Sequence, residues 1–147
     1  MFIFNPYHMT LRATCNDTMK VFFDGYLQPE TAAMGRWNET SYLNIPANTN
    51  VLAIKCKNSE YQYGILASSL TGLKTDASWQ CSSVYVDGWT LPGFDPPPNT
   101  FHDAVQYGNN GVAPWGLRLP HFFSCPGRSI LILGCGGLFL HCFGPKE

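Results

Sequence analysis

Between residues 51 and 86 apolar and polar side chains alternate in three successive runs, and nothing else narrows the possible folds so far. In VLAIKCK, Leu52, Ile54 and Cys56 alternate with Ala53, Lys55 and Lys57, so one face is apolar and the other carries charge. YGILASS follows after a polar turn, Asn58-Ser59-Glu60. TDASWQCS then sets Ala77, Trp79 and Cys81 on one side and Asp76, Ser78 and Gln80 on the other. An amphipathic helix needs apolar residues three and four positions apart, and none fits here. Three consecutive strands and an all-β core are expected.

The flanking sequence carries the same signal. MTLRATC reads as a strand with Leu11, Ala13 and Cys15 on one parity. MKVFFDG turns Met19, Val21 and Phe23 inward, and Asp24-Gly25 leads into YLQPE as a hairpin. A loop over 31–40 carries Met34, Gly35 and Trp37, and SYLNI makes a short strand ended by Pro46. VYVDGW offers a second Asp-Gly turn before a long irregular segment. Within that segment, 100–107 predicts one or two helical turns, with Thr100 as N-cap and Asp103 three residues on. The expected core is Val21, Phe23, Leu52, Ile54, Ile65, Leu66 and Trp79.

A chain of 147 residues is one domain's worth. Its net charge of −1, with only 13% charged residues, gives no electrostatic footprint for nucleic acid or anionic lipid. Six cysteines (Cys15, Cys56, Cys81, Cys125, Cys135 and Cys142) form no CxxC pair, and His141 beside Cys142 lacks a second ligand pair, so no thiol metal site is expected. Cys15, Cys56 and Cys81 face inward by parity, either as small core residues or in disulfides. Two glycosylation sequons begin at Asn16 and Asn38. Together with the cysteines they favour an extracellular, secreted protein. The first ten residues, MFIFNPYHMT, lack the basic n-region of a signal peptide. Near the C-terminus, SILILGCGGLFLHCFG is an apolar run of 16 residues, short of the ~20 that a membrane span takes. A buried strand pair hinged at Gly136-Gly137 is the plain alternative.

Taken together, the VFFDG turn, the loop tryptophan, VLAIKCKN, YGILAS, TDASWQCS, a later tryptophan and PWG resemble the galactose-binding-like β-sandwich. The nearest likeness is the jelly-roll module appended to rhamnosidases and other glycoside hydrolases, also found in secreted invertebrate proteins. The likeness runs over about 11–116, which places a galactose-binding-like sandwich at 9–119. It leaves an atypical apolar tail, rich in cysteine and glycine, at 120–147. There the family closes with an apolar strand of the type "A-x-W-I-W", whereas this chain has LRLPHFFSCPGRSILILGCGGLFLHCFGPKE. The tail stands either as a divergent strand pair replacing the closing strands or as a product of alternative splicing or gene-model error.

The resemblance implies a non-catalytic, lectin-like module whose partners are glycans or glycoproteins, bound by loops at one end of the sandwich. Sugar recognition takes an aromatic platform for the apolar face of a pyranose and polar groups for its hydroxyls. Trp37, Trp89 and Trp115 lie in expected loops, near Asn38, Asp87, Asn109 and Asn110; Asp87 and Asn110 are the candidate hydroxyl partners. The plainer reading has each of these rings plugging an end of the barrel, and Trp79 is core by parity. No cofactor is expected. Asp17, Asp24 and Asp76 offer loop carboxylates of the kind calcium takes, but EF-hand spacing is missing and turn-capping explains Asp24 equally well. No GxSxG, HExxH or phosphate-cradling glycine loop is present, and His102-Asp103 has no nucleophile tied to it by pattern. The alternative to sugar binding is a structural or adhesive extracellular matrix protein that recognises protein partners. Cys56 and Cys81 flank the same strand on inward parity and are the expected disulfide. Cys15 is left either for Cys142 or as a free buried thiol.

Overall fold

The computed structural model describes residues 9–15, 18–29, 41–46, 48–57, 65–69, 75–109, 130–133 and 139–145. Among them the chain forms β1 (Met9–Cys15), β2 (Thr18–Phe23), β3 (Tyr26–Leu27), β4 (Ser41–Ile45), β5 (Val51–Lys57) and β6 (Ile65–Ser69). After these come β7 (Gln80–Ser82), β8 (His102–Asp103), β9 (Val105–Asn109), β10 (Ile130–Leu133) and β11 (Phe139–Pro145). They make two antiparallel sheets, ordered β4-β1-β6-β10-β9 and β3-β2-β5-β11-β7-β8. No α-helix occurs among the described residues, so this part of the protein is all-β. No helix among them is long and apolar enough to cross a membrane.

Alternation decides which side of each strand is buried. Leu11, Ala13 and Cys15 of the first sheet share one core cluster with Met19, Val21, Phe23, Leu52, Ile54 and Cys56 of the second. The inner faces of the two sheets therefore pack on each other. Every residue of the expected core list is buried. The strand β6 is buried along its whole length, Ser68 and Ser69 included, so its outer face is covered as well as its inner one. At the β2–β3 hairpin both turn residues are left-handed, Asp24 at φ 47° and Gly25 at φ 89°. This is the backbone of a two-residue type I′ turn, which matches the strand twist and selects Asp-Gly. The Asp24 carboxylate also accepts from the Asn50 and Val51 amides, at 2.9 and 2.7 Å, and so fixes the start of β5 against the hairpin.

Three expectations need correction. TDASWQCS is a strand only over Gln80–Ser82. Before it the Asp76 carboxylate accepts from the Ser78 amide at 2.8 Å, and the Trp79 amide donates to the Asp76 carbonyl at 3.2 Å. This local turn competes with extended backbone and leaves Ala77 exposed. The helical turns expected over 100–107 do not form. The Thr100 amide and hydroxyl both close onto the Pro97 carbonyl, and β8 and β9 follow.

The third correction concerns the cysteines. Cys56 bonds to Cys15, with Cα atoms 5.9 Å apart, and not to Cys81. β11 lies between β5 and β7, so those strands stand two spacings apart, ~9.5 Å, beyond the ~7 Å a disulfide spans. Cys15 ends β1, while Cys56 pairs with Met19 at the start of β2, so the step from one sheet to the other brings Cys15 over Cys56. Cys15 is thus neither free nor paired with the tail. Cys81 is disulfide-bonded too, and the residue opposite it in the ladder is Cys142.

The segment 120–147 supplies strands to both sheets. β10 lies between β6 and β9, and β11 runs along all seven residues of β5.

Candidate functional site

Between β7 and β8 the chain makes a long excursion, 83–101, that lies over the outer face of the six-stranded sheet. It is built from successive tight turns. The amides of Trp89, Leu91, Phe94 and Thr100 donate to the carbonyls of Val86, Gly88, Leu91 and Pro97, at 3.0–3.3 Å. Gly88 and Gly93 take positive φ, as does Asn99 at 63°, one of the few side chains that tolerates that region. The Ser82 hydroxyl starts the departure from β7, accepting from the Val84 amide at 3.0 Å and donating to its carbonyl at 2.9 Å.

Aromatic burial holds this excursion down. Trp89 and Phe101 form a second cluster with Ala53 of β5, and Phe22, Val51, Val86 and Phe94 pack around it. Phe22 meets Trp89 edge to face at 5.8 Å, and Phe94 meets Phe101 likewise at 5.4 Å. Trp89 is 4% exposed, so its indole is not a platform for a sugar. The reason is local: Ala53 presents only a methyl group on the outer face, and the indole packs where a larger side chain would stand.

Tyr85 and Asp87 occupy the surface of the same segment. The Tyr85 ring is 62% exposed, and its hydroxyl donates to the exposed Asp87 carboxylate at 3.3 Å. An exposed aromatic ring beside a hydrogen-bonding oxygen is the pairing that pyranose recognition uses. Parity does not disclose Tyr85: Val84 and Tyr85 are consecutive and both 62% exposed, while Trp89, of the same parity as Tyr85, is buried. Attention to tryptophan alone passes over it. Trp37, Trp115, Asn38, Asn110, Asn16 and Asp17 lie outside the described residues.

The other candidates separate. Asp24 and Asp76 are engaged with backbone amides in turns on different elements. Among the described residues no group of three or more His, Cys, Asp or Glu gathers to hold a metal. His102 and Asp103 are both exposed and are consecutive on β8, so their side chains leave on opposite faces. Asp103 accepts instead from the Gln80 side chain on β7.

Further along the same outer face, Lys20 on β2 stands directly opposite Lys55 on β5, and Lys57 follows two residues on, opposite Thr18. Lys20 and Lys57 are exposed and Lys55 is partly buried. Desolvation lowers the Lys55 pKa, and the Lys20 and Lys57 charges lower it further. Two unit charges ~6 Å apart in water repel by roughly 0.7 kcal/mol.

No protein-family model matches the sequence, and no curated protein or solved structure matches it either.

Proposed function

We propose that this protein is a non-catalytic extracellular carbohydrate-binding module with a galactose-binding-like jelly-roll sandwich. The observation that carries the reading is the exposed Tyr85 ring beside the Asp87 carboxylate, on a segment anchored by the buried Trp89 and Phe101. The anchoring matters because a platform held in place before binding loses little conformational freedom when sugar docks. The Cys15–Cys56 disulfide supports an oxidising, extracellular location. Trp37, Trp115 and Asn110 remain the further candidates for the binding loops, and glycans or glycoproteins are the partners.

A second reading is favoured by a different observation. Tyr26 and Leu27 on the edge strand β3 are 77% and 44% exposed, and Val84 and Leu91 of the excursion are 62% and 50% exposed. Exposed apolar side chains on and beside a strand at the end of its sheet suit a matrix or adhesive protein that docks protein partners. Glycan-array binding competed by free monosaccharide separates the two readings. The carbohydrate reading expects Tyr85→Ala and Asp87→Ala each to lose at least ~10-fold in affinity, the loss of one ~1.4 kcal/mol contact, with unchanged melting temperature. Silence across neutral and acidic sugars, with retained binding to matrix proteins, establishes the second reading.

A further inference from the structure

We infer that the outer face of the six-stranded sheet, where Lys20, Lys55 and Lys57 meet, binds a sulfated polysaccharide. The inference stands on the charge arrangement and does not depend on Tyr85 or Asp87. Cross-strand neighbours on an antiparallel sheet ordinarily carry opposite charge or none, because like charges facing each other destabilise the ladder. Here two lysines face each other across β2 and β5, and a third lies one pleat further along the same face. Neither strand contains an aspartate or glutamate, and neither do β11 and β7, the next two strands on that side. At the register position beside Lys55, β11 carries His141, and β7 carries Ser82 beyond it. The opposite side of β2 and β5 is fully committed to the core, with Met19, Val21, Ile54 and Cys56 buried. The three ammonium groups therefore share one surface.

Strand spacing of ~4.8 Å and a two-residue step of ~6.8 Å put these positions within one disaccharide's reach of each other. A net charge of −1 over 147 residues averages this concentration away, which is why composition alone does not disclose it. The ligand class follows from the shape of the surface. Backbone amides of a sheet interior are used in the ladder, so no nest of amides is left there to hold a small anion. A linear polyanion gains from each lysine in turn and releases its own counterions as it does so. Of the linear polyanions, sulfated saccharide is the one met outside the cell, the location that the Cys15–Cys56 disulfide supports and on which this choice of ligand rests.

Heparin, its desulfated derivative and single-stranded DNA of equal charge serve as probes for calorimetry of the full chain at about 50 mM salt. The expected result is binding to heparin, at least ~10-fold weaker binding after desulfation, and weaker binding to DNA. The triple variant Lys20→Gln, Lys55→Gln, Lys57→Gln should lower the slope of log K against log salt by roughly two. Its melting temperature should be equal or higher, because repulsion has been removed. Tyr85→Ala should leave heparin binding intact, which keeps this site distinct from the loop. With unaltered protein, heparin should shield Lys20, Lys55 and Lys57 from acetylation as read by mass spectrometry. Undiminished binding by the triple variant, tighter binding to DNA, or unchanged acetylation of the three lysines overturns the inference.

Discussion

At position 53 the outer face of β5 carries a methyl group, and the rings of Trp89 and Phe101 settle over it with Phe22 alongside. One small residue thereby converts an irregular segment into a fixed one and divides its side chains by role, with Trp89 holding the segment down and Tyr85 facing outward. The division makes a testable contrast. Trp89→Ala empties a buried, aromatic-lined site and should cost about 3–5 kcal/mol in chemical denaturation. Tyr85→Ala should stay within about 0.5 kcal/mol, as surface substitutions do. Equal losses for the two variants would show that Tyr85 also supports the fold and would remove it as a platform. The sequence shows that tryptophans in this region are available, but burial of Trp89 depends on what β5 presents from more than thirty residues away.

At the scale of elements, alternation was enough for β1, β2, β4 and β5, because each turns one whole parity into the core, although Thr14 and Ala53 on the opposite parity are covered as well. The Asp24-Gly25 hairpin was equally legible, since few residue pairs accept two successive left-handed positions. TDASW misled because its alternation is real while the Asp76 and Ser78 side chains offer the backbone a turn at lower cost. Cysteine pairing was illegible for another reason: parity says which way a thiol points, whereas pairing depends on strand order. β11, the last strand in the chain, separates β5 from β7. Peptide mapping of unreduced protein should recover Cys15 linked to Cys56 and Cys81 linked to Cys142, its opposite residue in the ladder. Closing a loop across a separation of 41 residues stabilises by about 4 kcal/mol on the chain-entropy account, so Cys15→Ser should lower stability by an amount of that order. Free, alkylated Cys15 in unreduced protein would refute the pairing.

Over the whole molecule, the C-terminal strands set the architecture although they come last. β11 runs antiparallel to β5 through seven residue pairs and to β7 through three. Without it β5 becomes an edge, and β7 and β8, of three and two residues, are joined only to each other. A pair that short has no independent stability in water. The consequences spread inward from there. Buried Trp79 immediately precedes β7 and accepts from the Ala104 amide at 2.8 Å, and the excursion bearing Trp89 and Phe101 is tethered at both ends by β7 and β8. The final prediction follows from this order. Deleting 130–147 should abolish cooperative folding of the rest, because it removes one internal strand from each sheet and the residue opposite Cys81. Thermal melts should show no sharp transition, the apolar dye ANS should bind, and size-exclusion chromatography should show aggregates formed through the bare β5 and β6 edges. A truncated chain that melts cooperatively within a few degrees of the full one would show that 9–109 is self-sufficient and that β10 and β11 are accessory.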